Sequence, residues 1–191
     1  SAASDVYKRQ TKRPVKIRLF RDDDQKVTGK RHPYLIQYKA GFDKEGLVNA
    51  VGVTVNSDAG AATDLTMAVL ERAMFHSDNS YFIPNMRIIG KAWKTNLPSN
   101  TAFRGFGGPQ GMAGIETIMD KIARKLGKDA AEIRYKNFYN DSPISDRITQ
   151  SNSIADVPKR NKTPYGQTVE NNRLEMIWEQ IMASSEYKKR R

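Results

Sequence analysis

Residues 100–111 read NTAFRGFGGPQG, and no other stretch restricts the chain as tightly. Gly105, Gly107 and Gly108 fall within four positions, so the backbone there can enter the left-handed region that side chains disfavour. Pro109 follows directly, and a proline suits the first turn of a helix, where its missing N–H costs nothing. Ahead of this lies a run of strand character at 86–95 (MRIIGKAWKT), broken by NLPSN. Behind it comes the clearest helix of the chain. Met112, Ile115, Met119, Ile122 and Leu126 form one stripe opposite Glu116, Asp120, Lys121, Arg124 and Lys125, and Gly127 ends it. A strand that turns so sharply into an amphipathic helix points free backbone N–H groups outward at the positive end of the helix dipole. An anionic or oxygen-rich ligand suits such a place, and the glycines would let it approach the backbone. Phe103 and Phe106 flank Arg104 and offer rings either for stacking on a flat heterocycle or for the core. The spacing is not a dinucleotide fingerprint, because Gln110 stands where G-x-G-x-x-G needs its last glycine. From spacing alone, a ligand role and a tight strand-to-helix turn stand level.

The remaining elements frame this junction. Residues 15–21 (VKIRLFR) alternate with period two and predict a half-buried strand, with a turn over 22–29. Residues 33–42 and 47–56 are strand-like runs joined by Asp43-Lys44-Glu45-Gly46, which predicts an antiparallel hairpin. In the second run Val51, Val53 and Val55 share a face with Leu47, while Val48, Ala50 and Gly52 leave the other nearly apolar. That pattern predicts a central strand buried on both sides. Residues 63–78 switch to helical spacing, with Thr63 or Asp64 as N-cap and Leu65, Val69, Arg72, Ala73 and His76 on one stripe. A short helix is expected over 129–139, an aperiodic surface loop or insertion over 140–167, and a last helix over 172–186 with Leu174, Ile177, Trp178 and Ile181 apolar. The expected tally is about four strands and four helices, giving an α+β fold with an antiparallel or mixed sheet and packed helices.

Composition narrows the function classes. The 191 residues suffice for one domain with a sizeable core, and 38% hydrophobic content with a mean hydropathy of −0.67 leaves no run near the roughly 18 apolar residues of a membrane span. The first ten residues lack the apolar core of a secretory signal, so the expected setting is cytoplasmic. There is no cysteine and only two histidines, His32 and His76, which rules out a disulfide framework, a thiolate-held cluster or a histidine-rich metal site within the chain. The net charge of +11 is uneven: residues 1–31 carry +6, residues 32–154 carry +2 and residues 155–191 carry +3. A basic nucleic-acid-binding module is therefore the alternative from another class, but the near-neutral middle and the few interleaved aromatics at the ends argue against it. Asp22, Asp23 and Asp24 read as a solvated turn rather than metal ligands. His76 reads as a packing histidine rather than a base.

The stretch TAFRGFGGPQG, preceded by KTNLPSN, closely resembles the molybdenum-binding portion of the xanthine dehydrogenase and xanthine oxidase family. RHPYLIQYKAGF and LERAMFHSDNSYFIPN upstream, EIRYKNFY downstream and, more weakly, YGQTVENNRLEMIWEQIMASSEY extend the resemblance from about residue 11 to nearly the end of the chain. In that family a heterocyclic carbon is hydroxylated at molybdenum held by a pterin, with oxygen from water, and electrons leave through two [2Fe-2S] clusters and FAD to NAD or oxygen. The resemblance implies a partial molybdenum-pterin-binding domain over 11–191. It places Phe103, Arg104 and Gly105 at the cofactor, with the Arg104 backbone amide facing the metal and no side-chain ligand to it. It places Phe106 against the substrate ring and Arg72 on the carbonyl of a purine, hypoxanthine or xanthine. From periodicity alone Arg72 reads as a surface arginine or as one salt-bridged to Glu71 or Asp78. Aldehyde oxidases are similar over this region and usually lack an arginine at that position, so Arg72 favours a purine over the alternative of an aldehyde or another N-heterocycle. Implied partners are iron-sulfur and FAD domains or subunits and a homodimeric assembly, with no nucleic acid and no membrane.

Two motifs of the family have no counterpart here. The glycine-rich G-G-F-G-G-K-E, whose glutamate contacts substrate, would precede this sequence. The glutamate that serves as general base would follow it, and neither Glu71 nor Glu116 matches it. The expectation is a fragment that is inactive alone. Residues 1–10 (SAASDVYKRQ) match nothing in the family and are expected to be foreign sequence.

Overall fold

The computed structural model describes residues 2–142 and 159–191. Its sheet begins with the expected hairpin: β1 (Tyr34–Phe42) and β2 (Val48–Gly60) pair antiparallel, and the turn between them uses Gly46 at φ +88°. β2 is central, with β3 (Asn85–Lys94) parallel on its far side, so the sheet is mixed in the order β1-β2-β3. Parallel neighbours need a long crossover, and α3 (Thr66–Phe75) supplies it. The α+β expectation holds, with three strands rather than four among the described residues.

One face of this sheet is the core. Val51, Val53 and Val55 are buried beneath α3 and α4 (Gly108–Leu126), together with Ile115, Ile118, Met119 and Ile122 of α4. Val48 joins them although it lies an odd number of positions from Val51. Gly41 pairs with Ala50 and Phe42 with Val48, so Asn49 is bulged out and the phase of β2 inverts before it. The opposite face is not buried: Ala50 is exposed and Gly52, Thr54 and Asn56 are half-buried, which corrects the two-sided expectation for β2. The small residues there made both faces look apolar.

The predicted strand over 15–21 is absent. Residues 12–20 are irregular, Ile17, Leu19 and Phe20 are exposed, and Arg21–Val27 forms a helix, α2, following α1 (Ala2–Thr11). Asp22, Asp23 and Asp24 occupy the first turn of α2, where carboxylates complement the helix dipole, so the acids start a helix instead of a turn. The stripe on α4 is rotated from the predicted one, with Met112 partly exposed and Ile118 and Ala123 buried. Asp129 caps α5 (Ala130–Asn137), its carboxylate accepting from the Ala131 N–H at 2.7 Å. Of the last helices, α6 (Leu174–Ser184) and α7 (Tyr187–Arg190), only Leu174 and Trp178 reach the core, Trp178 meeting Phe138 edge-on at 5.3 Å. Ile177 and Ile181, expected to be core residues, are exposed. The loop expected over 140–167 lies largely outside the described residues. No described helix is long and apolar enough to cross a membrane.

Candidate functional site

The glycine-rich junction is built against the backbone of α3. A Cβ on Gly107 would stand 2.0 Å from the Val69 carbonyl oxygen, and one on Gly111 would stand 2.1 Å from the Ala73 carbonyl oxygen. The glycines at 107, 108 and 111 thus let two helices approach, with Gly108 facing His76, and they do not open the backbone to a ligand. That corrects their expected role. His76, half-buried beside Gly108, is the packing residue it was expected to be.

The donors also differ from expectation. Gly108 donates to the Gly105 carbonyl and Gln110 to that of Gly107, at 3.0 and 3.1 Å, so the first amides of α4 are already satisfied. The free N–H groups lie one step earlier. Those of Arg104, Gly105 and Gly107 donate to no backbone carbonyl among the described residues. Three successive residues are left-handed here, Gly105 at φ +88°, Phe106 at +47° and Gly107 at +92°, a backbone form in which successive N–H groups can face a common anion. Phe103 is 52% exposed, Arg104 and Gly105 are exposed, and Phe106 is half-buried, its N–H donating to the Phe103 carbonyl at 2.8 Å.

Arg72 lies on α3 between Val69 and Ala73, the residues whose backbone receives the junction. It is exposed rather than on the buried stripe, which is Thr66, Val69, Leu70 and Ala73. It forms no salt bridge among the described residues, so the expected pairing with Glu71 or Asp78 is not made. Neither Thr63 nor Asp64 caps α3; Leu65 holds the N-cap position without a side-chain bond. The fold therefore sets the α3 turn that carries Arg72 against the Gly107 and Gly111 backbone that follows Arg104, Gly105 and Phe106, about thirty residues on in sequence. A hollow of about 820 Å³ beside Asp78, Tyr139 and Asn172 includes none of them.

Two residues that the sequence reading passed over complete the junction. Arg31 donates from Nη2 to the Arg104 carbonyl at 2.6 Å, and its guanidinium lies 4.7 Å over the Phe103 ring. His32 is buried, with Nε2 2.8 Å from the Thr66 hydroxyl, and burial pushes its pKa down against the opposing fields of Asp64 and Asp58. Lone polar residues in a strand-entry segment carry no period, so only the spatial neighbours reveal them. Arg31 Nη1, His32 Nδ1 and Gln110 Oε1 are buried without a partner among the described residues.

A family model described as a molybdopterin cofactor-binding domain matches residues 2–138. The chain belongs to that family. This molybdopterin-binding domain is 44% identical over 179 residues to the xanthine dehydrogenase of Dictyostelium discoideum, covering 94% of this chain and 12% of the relative. It is 44% identical over 182 residues to the xanthine dehydrogenase/oxidase of Felis catus, covering 95% and 12%. The solved aldehyde oxidoreductase of Desulfovibrio desulfuricans superposes with a TM-score of 0.77 at 26% identity, covering 97% of this chain and 18% of that one. The molybdopterin-binding domain thus spans about an eighth of the length of its curated relatives.

The junction fits a molybdopterin. Such a group is rich in hydrogen-bonding oxygens and nitrogens, and the chain offers the Arg104 and Gly105 amides, which donate to no backbone carbonyl among the described residues, together with the buried, unpartnered Arg31 Nη1 and Gln110 Oε1. Among the described residues no three His, Asp or Glu side chains converge as a metal-ligand set.

Proposed function

We propose that the chain is part of the molybdenum-binding portion of a xanthine dehydrogenase, which hydroxylates hypoxanthine or xanthine at a ring carbon with oxygen from water. The observation that carries this reading is Arg72: an exposed guanidinium without an ion-pair partner among the described residues, on the α3 turn against which the junction packs. A fixed cation there binds a purine carbonyl and stabilises negative charge developing on the ring more than it stabilises the ground state. Phe106 lies against the ring and restricts its tilt. The Arg104 and Gly105 amides, with Phe103 behind them, would hold the molybdenum-pterin group, the Arg104 amide on its metal side. Bound there, the molybdenum-pterin group supplies two-electron redox chemistry. The general base comes from outside these residues: Glu71 is on the exposed side of α3, and Glu116 accepts from Tyr81 and Arg134 at 2.6 and 2.7 Å. In the homodimeric cytoplasmic enzyme of purine metabolism that this reading implies, two [2Fe-2S] clusters and FAD in further domains or subunits would take the electrons on to NAD. The overall likeness to an aldehyde oxidoreductase supports a second reading, a molybdenum hydroxylase for aldehydes or other N-heterocycles. The complete enzyme and its Arg72→Met variant separate the two. A loss of about 100-fold or more in kcat/KM for xanthine, with aldehyde turnover retained, is expected for the purine reading. Wild-type enzyme that oxidises aldehydes but no purine overturns it.

A further inference from the structure

Arg31 has no assigned part in the chemistry, yet three features tie it to the junction. Its segment is fixed by the backbone: Thr101 donates to the Lys30 carbonyl at 3.0 Å, and Gly29 packs so tightly that a Cβ there would stand 2.6 Å from the Ser99 carbonyl oxygen. Its Nη2 donates to the Arg104 carbonyl at 2.6 Å, a charge-assisted bond. Its guanidinium lies over the Phe103 ring, which fixes the plane of the donor fork. The carbonyl of Arg104 and the N–H of Gly105 belong to one peptide plane and point in opposite directions across it. Holding the oxygen on Arg31 therefore aims the Gly105 N–H away from Arg31, and a cation on the oxygen polarises the amide and makes that N–H a stronger donor. We propose that Arg31 is a positioning residue, which orients and strengthens the Gly105 amide donor through the Arg104 carbonyl and holds the junction in its left-handed form for an anionic or oxygen-rich ligand. This rests on the reading of the junction as the pterin-facing site.

The glycines and the α3 contact cannot supply this alone. They fix where residues 107–111 lie, whereas the 104–105 peptide is exposed and free to flip unless one of its ends is held. Lysine in place of Arg31 retains a cation for the carbonyl and the ring but loses the planar fork.

The test uses the complete enzyme with Arg31→Met, Arg31→Lys and, as a neighbouring control, Lys30→Met. Two measurements are made: pterin release from the loaded protein, and hydrogen exchange of the 103–108 amides relative to the centre of α4. Arg31→Met is expected to release pterin, and to exchange the Phe106 and Gly108 amides, about tenfold faster, with α4 unchanged. Arg31→Lys is expected to recover most of both effects, and Lys30→Met to match wild type. Unchanged release and exchange in Arg31→Met overturn the proposal, as does a uniform acceleration over the whole domain. If wild-type protein carries no pterin, the functional reading fails, and exchange at 103–108 still decides whether Arg31 holds the junction. Should Arg31→Met not fold, Phe103→Leu takes its place: exchange about threefold faster is expected, and an unchanged rate overturns the proposal.

Discussion

Replacing Gly111 by alanine sets helix propensity against packing, and the structure gives the sign of the result. In an isolated helix the substitution stabilises by about 1 kcal/mol. Here the added Cβ would stand 2.1 Å from the Ala73 carbonyl oxygen, 3.1 Å from its carbon and 3.2 Å from the His76 carbonyl carbon. An ordinary carbon–oxygen contact is about 3.3 Å, so α4 has to retreat from α3 by about 1 Å. The atoms met are backbone of a packed helix and have no rotamer to escape into. Overpacking of this kind costs about 1–3 kcal/mol, with this case at the upper end, and the net is a destabilisation of about 2 kcal/mol. Gly114→Ala on the same helix is the control. Its Cβ meets only the Ile36 side chain, at 2.9 and 3.5 Å, and a mobile methyl end yields at a cost of a few tenths, leaving a gain of roughly 0.5 kcal/mol. Urea unfolding of the chain measures both, and a thermal scan should show Gly111→Ala melting about 4–8 °C lower. Gly111→Ala proving as stable as Gly114→Ala would refute the close-approach argument.

Two further outcomes follow from buried polar groups. Asn137 is fully buried, accepts from the Val48 N–H at 2.8 Å and donates to the Gly46 and Ile133 carbonyls at 2.9 and 2.8 Å. Asn137→Leu strands the hairpin's own backbone groups, and a loss of about 3 kcal/mol or more in the unfolding free energy measured by urea titration is expected; under 1 kcal/mol would mean that the hairpin turn does not depend on α5. Asp78 is buried and accepts from the Tyr139 hydroxyl at 2.6 Å; burial raises its pKa above 3.8, with that hydrogen bond opposing. A carboxyl with a raised folded pKa stabilises fully below its unfolded pKa and loses that contribution as pH climbs through the folded one. Asp78→Asn retains an acceptor for Tyr139, so its stability relative to wild type should rise as pH climbs above the ordinary aspartate pKa of 3.8 through the raised folded one, and a difference that stays flat with pH would contradict the assignment.

What the sequence discloses depends on whether a position's role is periodic. The β1–β2 hairpin, the α4 helix with its Gly127 terminus and the strand-to-helix turn at Gly107 all carry repeating or local signals, and each forms where the pattern places it. The alternation over 15–21 is as regular, yet strand formation needs an edge to pair with, and the paired edges belong to β2. The α3 stripe was misphased because Arg72 and His76 share a spacing with Val69 and Ala73, and spacing alone does not show that the arginine turns outward. Asn49 is one residue out of register, and that single bulge decides which face Val48 takes. At the site, Arg72, Phe103, Arg104, Gly105 and Phe106 were legible through family resemblance, whereas Arg31 was not. Its partners are 72 and 73 positions away, and one is a backbone carbonyl that no residue type encodes.

The conformation of Phe106 links the fold to the chemistry. A bulky side chain at φ +47° costs about 1–2 kcal/mol relative to glycine, and glycines stand on both sides of it. A third glycine at 106 would make the turn at no such cost, so the strain is tolerated for the ring. A half-buried ring of this kind recovers part of the cost by packing, but it does not need a left-handed backbone to do so. What the left-handed run 105–107 does provide is a turn that leaves the N–H groups of Gly105 and Gly107 without a backbone acceptor among the described residues. Its Gly107 end is pressed against the α3 backbone at Val69, three residues before Arg72. The close helix contact and the strained phenylalanine are one arrangement, since the chain must leave Phe106 directly into Gly107, whose position the Val69 carbonyl fixes.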